Sequence, residues 1–256
     1  MIASLGMYDP APLHAANDRY WALIRDGLRA AGHAAPDALT RGPAAYWPAW
    51  ASPDLVLSQT CGLPYRARLH GKVTLIGTPD FGLHDCPPGY YCSVFVARRD
   101  DPRETLASYA GSRLAYSEEL SQSGWAAPCN HAAATGLRWS SLLHTGAHAA
   151  ASKAVADGAA DIAAIDVLTW ALLSRHEAWP AKLKVVEATQ PTPGLPYIAA
   201  AGADAALLFA VIAAAIDRLA PDDRALLHLR GIVQIPAADY LAVTIPPEPG
   251  AMTAAS

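Results

Sequence analysis

Arg113-Leu-Ala-Tyr-Ser-Glu-Glu-Leu-Ser-Gln-Ser-Gly124 passes from an apolar run to a helix start. Leu114 to Tyr116 has the character of a buried strand end. Ser121 and Ser123 are helix-cap residues, and Gly124 permits close backbone approach. The alanine-rich residues 125–135 continue as a helix whose regular part Pro128 limits. The first N–H groups of a helix lack partners within it, and its dipole is positive at that end. Two hydroxyls beside them make the turn suited to holding an anion. The plain alternative is an ordinary helix cap.

Outward from this turn, strands and helices alternate. Strands are expected at 2–7, 54–57, 73–77, 91–97, 114–116, 139–143, 161–165, 183–188 and 197–200. Helices are expected at 17–31, capped by Asn17 or Asp18, and at 148–156, 167–174, 204–219, 221–229 and 236–241. Residues 246–256 carry no periodic pattern and are expected to be disordered. Such alternation predicts an α/β fold with mainly parallel sheets. Breaks near Arg98 and Gln190 divide it into two lobes joined by two crossovers, 1–93 with 194–256, and 94–193. Ligands of such folds sit at the C-terminal ends of strands, here in a cleft between the lobes.

Of the 256 residues, 52 % are hydrophobic and 16 % charged, the balance of a globular chain with large buried faces. A net charge of -4 without a basic tract excludes a general nucleic-acid binder. The run 198–216 is interrupted by Asp204 and reads as a buried helix, so no membrane insertion is expected. No basic segment with an apolar run precedes Ile2, so the chain as written shows no secretion signal. Cys61, Cys86, Cys92 and Cys129 lack zinc or redox spacing. In an oxidising compartment Cys86 and Cys129 are able to pair; otherwise all four are buried thiols. His14, His33, His70 and His84 are scattered without metal-ligand spacing, and no cofactor motif appears. Cys129 and His131 point to different faces of one helix, which argues against a catalytic pair. Trp47 and Trp50 read as packing groups.

Three polar clusters fall on the strand-end side of one lobe. They are Ser121-Gln-Ser-Gly124, Thr145-Gly-Ala-His148 and Asp166, the last closing Asp157-Gly-Ala-Ala-Asp-Ile-Ala-Ala-Ile-Asp166. With Gly89-Tyr-Tyr-Cys-Ser-Val-Phe-Val96 and the strand order, this pattern resembles the phosphate/phosphite/phosphonate-binding proteins of ABC transporters. Those proteins have a type II periplasmic-binding-protein fold. The resemblance covers most of the chain. It implies a protein that captures a small oxyanion between two lobes for uptake, working with an ABC permease in the periplasm and catalysing nothing. It also implies that Ser121, Gln122 and Ser123 hold the anion's oxygens, that His148 donates to them, and that Tyr90 or Tyr91 closes from the hinge side. Tyr8 and Ser58-Gln59-Thr60 occupy the matching mouth of the first lobe.

Two departures stand out. The family's Ser-Thr-Ser is Ser-Gln-Ser here. Members taking aminoalkylphosphonates carry a carboxylate just after the strand that ends at Asp166, and Leu168 holds that place, leaving Asp166 as the substitute. The same fold also serves enzymes of menaquinone and pyrimidine synthesis and cytoplasmic sensors. The lack of a secretion signal in the chain as written favours the enzyme reading, and the sensor stands as a third.

Overall fold

The computed structural model describes residues 1–252. From the N-terminus the elements are β1 (Ile2–Ser4), α1 (His14–Ala30), α2 (Trp47–Trp50), β2 (Leu55–Gln59), α3 (Gly62–Pro64), β3 (Val73–Asp80) and β4 (Tyr90–Tyr91). Next come β5 (Ser93–Arg98), β6 (Arg113–Tyr116), α4 (Ala127–Thr135), β7 (Ser141–His144), α5 (His148–Ala156), β8 (Ile162–Asp166), α6 (Val167–His176) and β9 (Leu183–Ala188). The chain finishes with β10 (Thr192–Pro193), β11 (Tyr197–Ala200), α7 (Ala205–Arg218), α8 (Pro221–Leu226), β12 (Gly231–Val233), α9 (Ala237–Leu241) and α10 (Pro249–Met252).

These elements form two compact units, Met1–Tyr90 with Pro193–Ala242, and Tyr91–Thr192 with residues 243–252. The chain passes between them through β4 and β10, which pair with one another. Residues 243–252 were expected in the first lobe and belong to the second unit instead. There Trp125 Nε1 donates to Pro247 O at 3.2 Å and Asn130 Nδ2 to Thr244 O at 2.9 Å. Residues 249–252 of the expected disordered tail are helical, and 253–256 lie outside the described residues.

In the first unit the sheet order is β1-β2-β11-β3-β12. β1 and β2 are parallel, while β11 runs antiparallel to both β2 and β3, and β12 antiparallel to β3. In α1, Tyr20, Trp21, Ile24 and Leu28 are buried at helical spacing. The helix begins at His14, ahead of the expected caps. Asn17 does not cap it; its Nδ2 donates to Tyr8 O and Asp9 Oδ1, anchoring the preceding loop. Asp204 does cap α7, its side chain accepting from Leu207 N at 3.0 Å. Leu208, Ile212 and Ile216 then lie buried along one stripe of α7, each side chain contributing about 1.5–3 kcal/mol. α1 and α7 cross where Gly27 faces Val211, so closely that a Cβ on Gly27 would lie 2.9 Å from Val211 Cγ1.

In the second unit the order is β7-β6-β8-β5-β9. Every residue of β8 is buried, and its period of two sorts them between two cores. Ala163 and Ile165 join Val94, Val96 and Val155 on one face; Ile162 and Ala164 join Phe95, Tyr109 and Leu114 on the other. β6 is parallel to β7 and β8, because the helical crossovers α4 and α5 carry the chain back each time. β5 is antiparallel to β8 and β9. Parallel pairing therefore holds where a helix joins consecutive strands, and the remaining strands make both sheets mixed. The proposed Cys86–Cys129 disulfide is not formed: all four cysteines are thiols. Cys129 packs among Tyr116 and Trp125 in the second unit. Among the described residues no helix is long and apolar enough to cross a membrane.

Candidate functional site

The site in the second unit is built on the end of β6. Ser121 is extended (φ -92°, ψ 123°) and its Oγ accepts from Gly124 N at 2.9 Å, as an N-cap does. The first turn is wider than an α-turn. Ala126 N reaches Ser121 O, and Ala127 N reaches Gln122 O, so residues Gln122–Ala126 form a π-turn ahead of α4. This offset strips Ser123 of a helical donor for its carbonyl. Ala127 N is already engaged with Gln122 O, and residue 128, the next in line, is proline and has no N–H. Ser93 Oγ on β5 fills the gap, donating to Ser123 O at 2.9 Å. The sheet thus holds Ser123 in place.

The Ser123 side chain meets α5. Its Oγ lies 2.8 Å from His148 Nε2. Burial drives the His148 pKa down to about 4, against a smaller raising effect from the Ala164 backbone, so the ring is neutral near pH 7. Thr145 Oγ1 donates to Tyr116 O at 2.8 Å and Gly146 N to Ser117 O at 2.9 Å, locking the turn before α5 to the end of β6. His144 lies beside Glu118, 3.3 Å away, and tilts over Tyr116, a packing role. Four of the anticipated residues, Ser121, Gln122, Ser123 and His148, therefore gather at one helix start. Gln122 is 1 % exposed and its Nε2 points to Thr192 Oγ1 at 3.5 Å.

Asp166 stands apart in role. Its Oδ1 accepts from Thr169 N at 2.8 Å, capping α6. Leu168 is buried in the core. Tyr91 is buried, whereas Tyr90 Oη donates to Asp239 Oδ2 at 3.3 Å in the first unit.

The first unit repeats the strand-to-helix device, with a π-turn at Tyr65–Leu69 following α3. Ser58 and Gln59 are committed internally. Ser58 Oγ lies 2.7 Å from Ser4 Oγ and accepts from Trp50 Nε1, and Gln59 Nε2 donates to Leu195 O at 3.1 Å. Trp50 also stacks edge-on against Trp47, so both act in packing. Thr60 is fully buried, and its Oγ1 has no hydrogen-bond partner among the described residues. Tyr8 packs edge-on against Phe81. Cys129 is no nucleophile: burial pushes its thiol up to about 12.

Two residues went unnoticed in the sequence. Ser93 reads as one more strand residue, and Ser117 as loop. Gly124, three residues after the cap, was the available signal for Ser117. A Cβ there would lie 2.1 Å from Ser117 Oγ, so the glycine makes room for that hydroxyl.

Two α/β units, each on a mixed five-stranded sheet with a polar strand-to-helix turn, define a type II periplasmic-binding-protein-like fold. The chain belongs to the family described as the periplasmic phosphonate substrate-binding proteins of ABC transporters, whose sequence profile matches residues 63–240. No curated protein sequence matches. Solved structures of the same fold include XAC2383 from Xanthomonas citri bound to chloride, with a TM-score of 0.71 and 16 % identity over 93 % of this chain and 92 % of that one. PhnD1 from Prochlorococcus marinus in complex with methylphosphonate has a TM-score of 0.70 and 16 % identity over 93 % and 94 %. MatC from Rhodopseudomonas palustris with bound malate has a TM-score of 0.56 and 14 % identity over 95 % and 92 %. At these identities the likeness is one of fold.

Proposed function

We propose that this protein captures a small oxyanion of the phosphate, phosphite or phosphonate kind for an ABC permease, without a chemical step. The observation that carries this reading is the helix start where Ser121 caps, Ser123 and His148 meet at 2.8 Å, and the macrodipole is positive. All these donors are neutral, and hydrogen bonds from neutral groups hold an anion without trapping it behind an opposite charge. Thr60, with its unpartnered hydroxyl, is the first unit's proposed ligand contact.

A serine beside a histidine also suggests a nucleophile and its base. A general base works best with a pKa near the operating pH. His148, driven to about 4, is a weak proton acceptor, which favours binding over catalysis.

The ligand is proposed to lack an amine. A buried ammonium needs a carboxylate partner, Leu168 is apolar, and Asp166 is engaged as a cap. Titration calorimetry with phosphate, phosphite, methylphosphonate and sulfate tests the whole reading, with 2-aminoethylphosphonate and ethylphosphonate as the amine pair. Ser123→Ala is expected to weaken oxyanion binding by about 1–3 kcal/mol. Absence of both heat and thermal shift with every oxyanion would overturn the reading. A preference for the amine that disappears in Asp166→Asn would overturn the ligand class alone.

A further inference from the structure

Ser117 follows β6 and is 4 % exposed, and its Oγ has no hydrogen-bond partner among the described residues. An unpaired buried hydroxyl is unfavourable for folding, so its place in the molecule calls for another cause. The point where a Gly124 Cβ would stand lies 2.1 Å from Ser117 Oγ and 3.1 Å from Ser121 Oγ. The two hydroxyls thus flank the first turn of the helix, in space that only a glycine leaves open. Ser117 O also accepts from Gly146 N. Ser117 therefore lies against the helix of Ser123 at Gly124 and is bonded through its carbonyl to the turn before His148.

We infer that Ser117 is a specificity-determining contact, its Oγ–H donating to a third terminal oxygen of a tetrahedral head group. The inference rests on the oxyanion reading above. A phosphonate head presents three terminal oxygens. Backbone N–H groups at the helix start meet one, the Ser123–His148 pair meets a second, and Ser117 meets the third. A hydroxyl unpaired in the empty protein and paired in the complex adds to binding and nothing to the fold.

The test is calorimetry with methylphosphonate and with dimethylphosphinate, which lacks the third terminal oxygen, alongside melting of the ligand-free protein. Ser117→Ala is expected to weaken methylphosphonate at least tenfold and to narrow its preference over dimethylphosphinate at least fivefold. The ligand-free melting temperature should stay level or rise, because an unpaired buried hydroxyl has been removed. Ser117→Cys, which keeps the size and weakens the donor, should lose methylphosphonate affinity too. Methylphosphonate affinity within twofold of wild type in both variants, with Ser123→Ala still impaired, would refute the role of Ser117 and leave the oxyanion reading intact. A lowered melting temperature with both probes weakened alike would make Ser117 a structural residue and also refute it. Failure of the wild type to bind any oxyanion removes the reading and the inference together.

Discussion

His148 shows how one buried ring ties the site to pH. In an unfolded chain an imidazole takes its proton near pH 6.5, whereas burial in the fold holds His148 to about 4. Between those values the unfolded state binds more protons, so stability is complete above pH 6.5 and falls as pH drops toward 4. The shift corresponds to at most about 3 kcal/mol. His148→Gln lacks this titration. Its melting temperature should lose less than that of the wild type between pH 7.5 and pH 4.5, and parallel curves for the two proteins would refute the assignment. The cap at Ser121 was legible beforehand because cap chemistry is written in neighbouring residues. Ser117 was not, since its significance depends on Gly124 packing against it.

At the scale of elements, the π-turn and Pro128 together leave the Ser123 carbonyl to Ser93. Ser93→Ala removes that donor and should destabilise the protein by about 1–3 kcal/mol. In a Pro128→Ala background residue 128 regains an N–H able to reach Ser123 O along the helix. There the Ser93→Ala penalty should shrink by at least half. A double-mutant cycle by chemical denaturation measures this coupling, and additive penalties would refute the account. The sequence warned that Pro128 would limit the regular helix, as it does: α4 begins at Ala127 with Pro128 in its first turn. Nothing nearby indicated the compensation from β5, because Ser93 and Ser123 are brought together only by the sheet.

At the scale of the molecule, residues 243–252 belong to the unit that carries the helix start at Ser121 to Gly124. Trp125, next to Gly124 and 1 % exposed, gives its ring N–H to Pro247 O, and Asn130 gives its amide to Thr244 O. Removing residues 243–256 leaves the buried indole N–H without its acceptor, a loss of about 1–3 kcal/mol. Amide hydrogen exchange should quicken across residues 122–135 while α1 and α7 keep their protection. Unchanged exchange in residues 122–135 would show that the tail is not a brace. The division into two units was legible from breaks in the strand–helix alternation. The assignment of the tail was not, as its few polar contacts leave no periodic pattern.

By itself the sequence determined the α/β class, the order of most elements, the cap at Asp204 and the helix start at Ser121 to Gly124. Each of these depends on side-chain period or on hydrogen bonds spanning a single helical turn, which a short window of sequence contains. Only the tertiary structure decided that Ser58 and Gln59 turn inward and that Asp166 is occupied as a cap. It likewise placed β5 antiparallel to β8 and turned the hydroxyl of Ser117 toward Gly124. Apart from the cap, these contacts join residues of different elements. Asp166 is the local case: its place before a helix suits a cap, and the backbone of α6 engages its carboxylate.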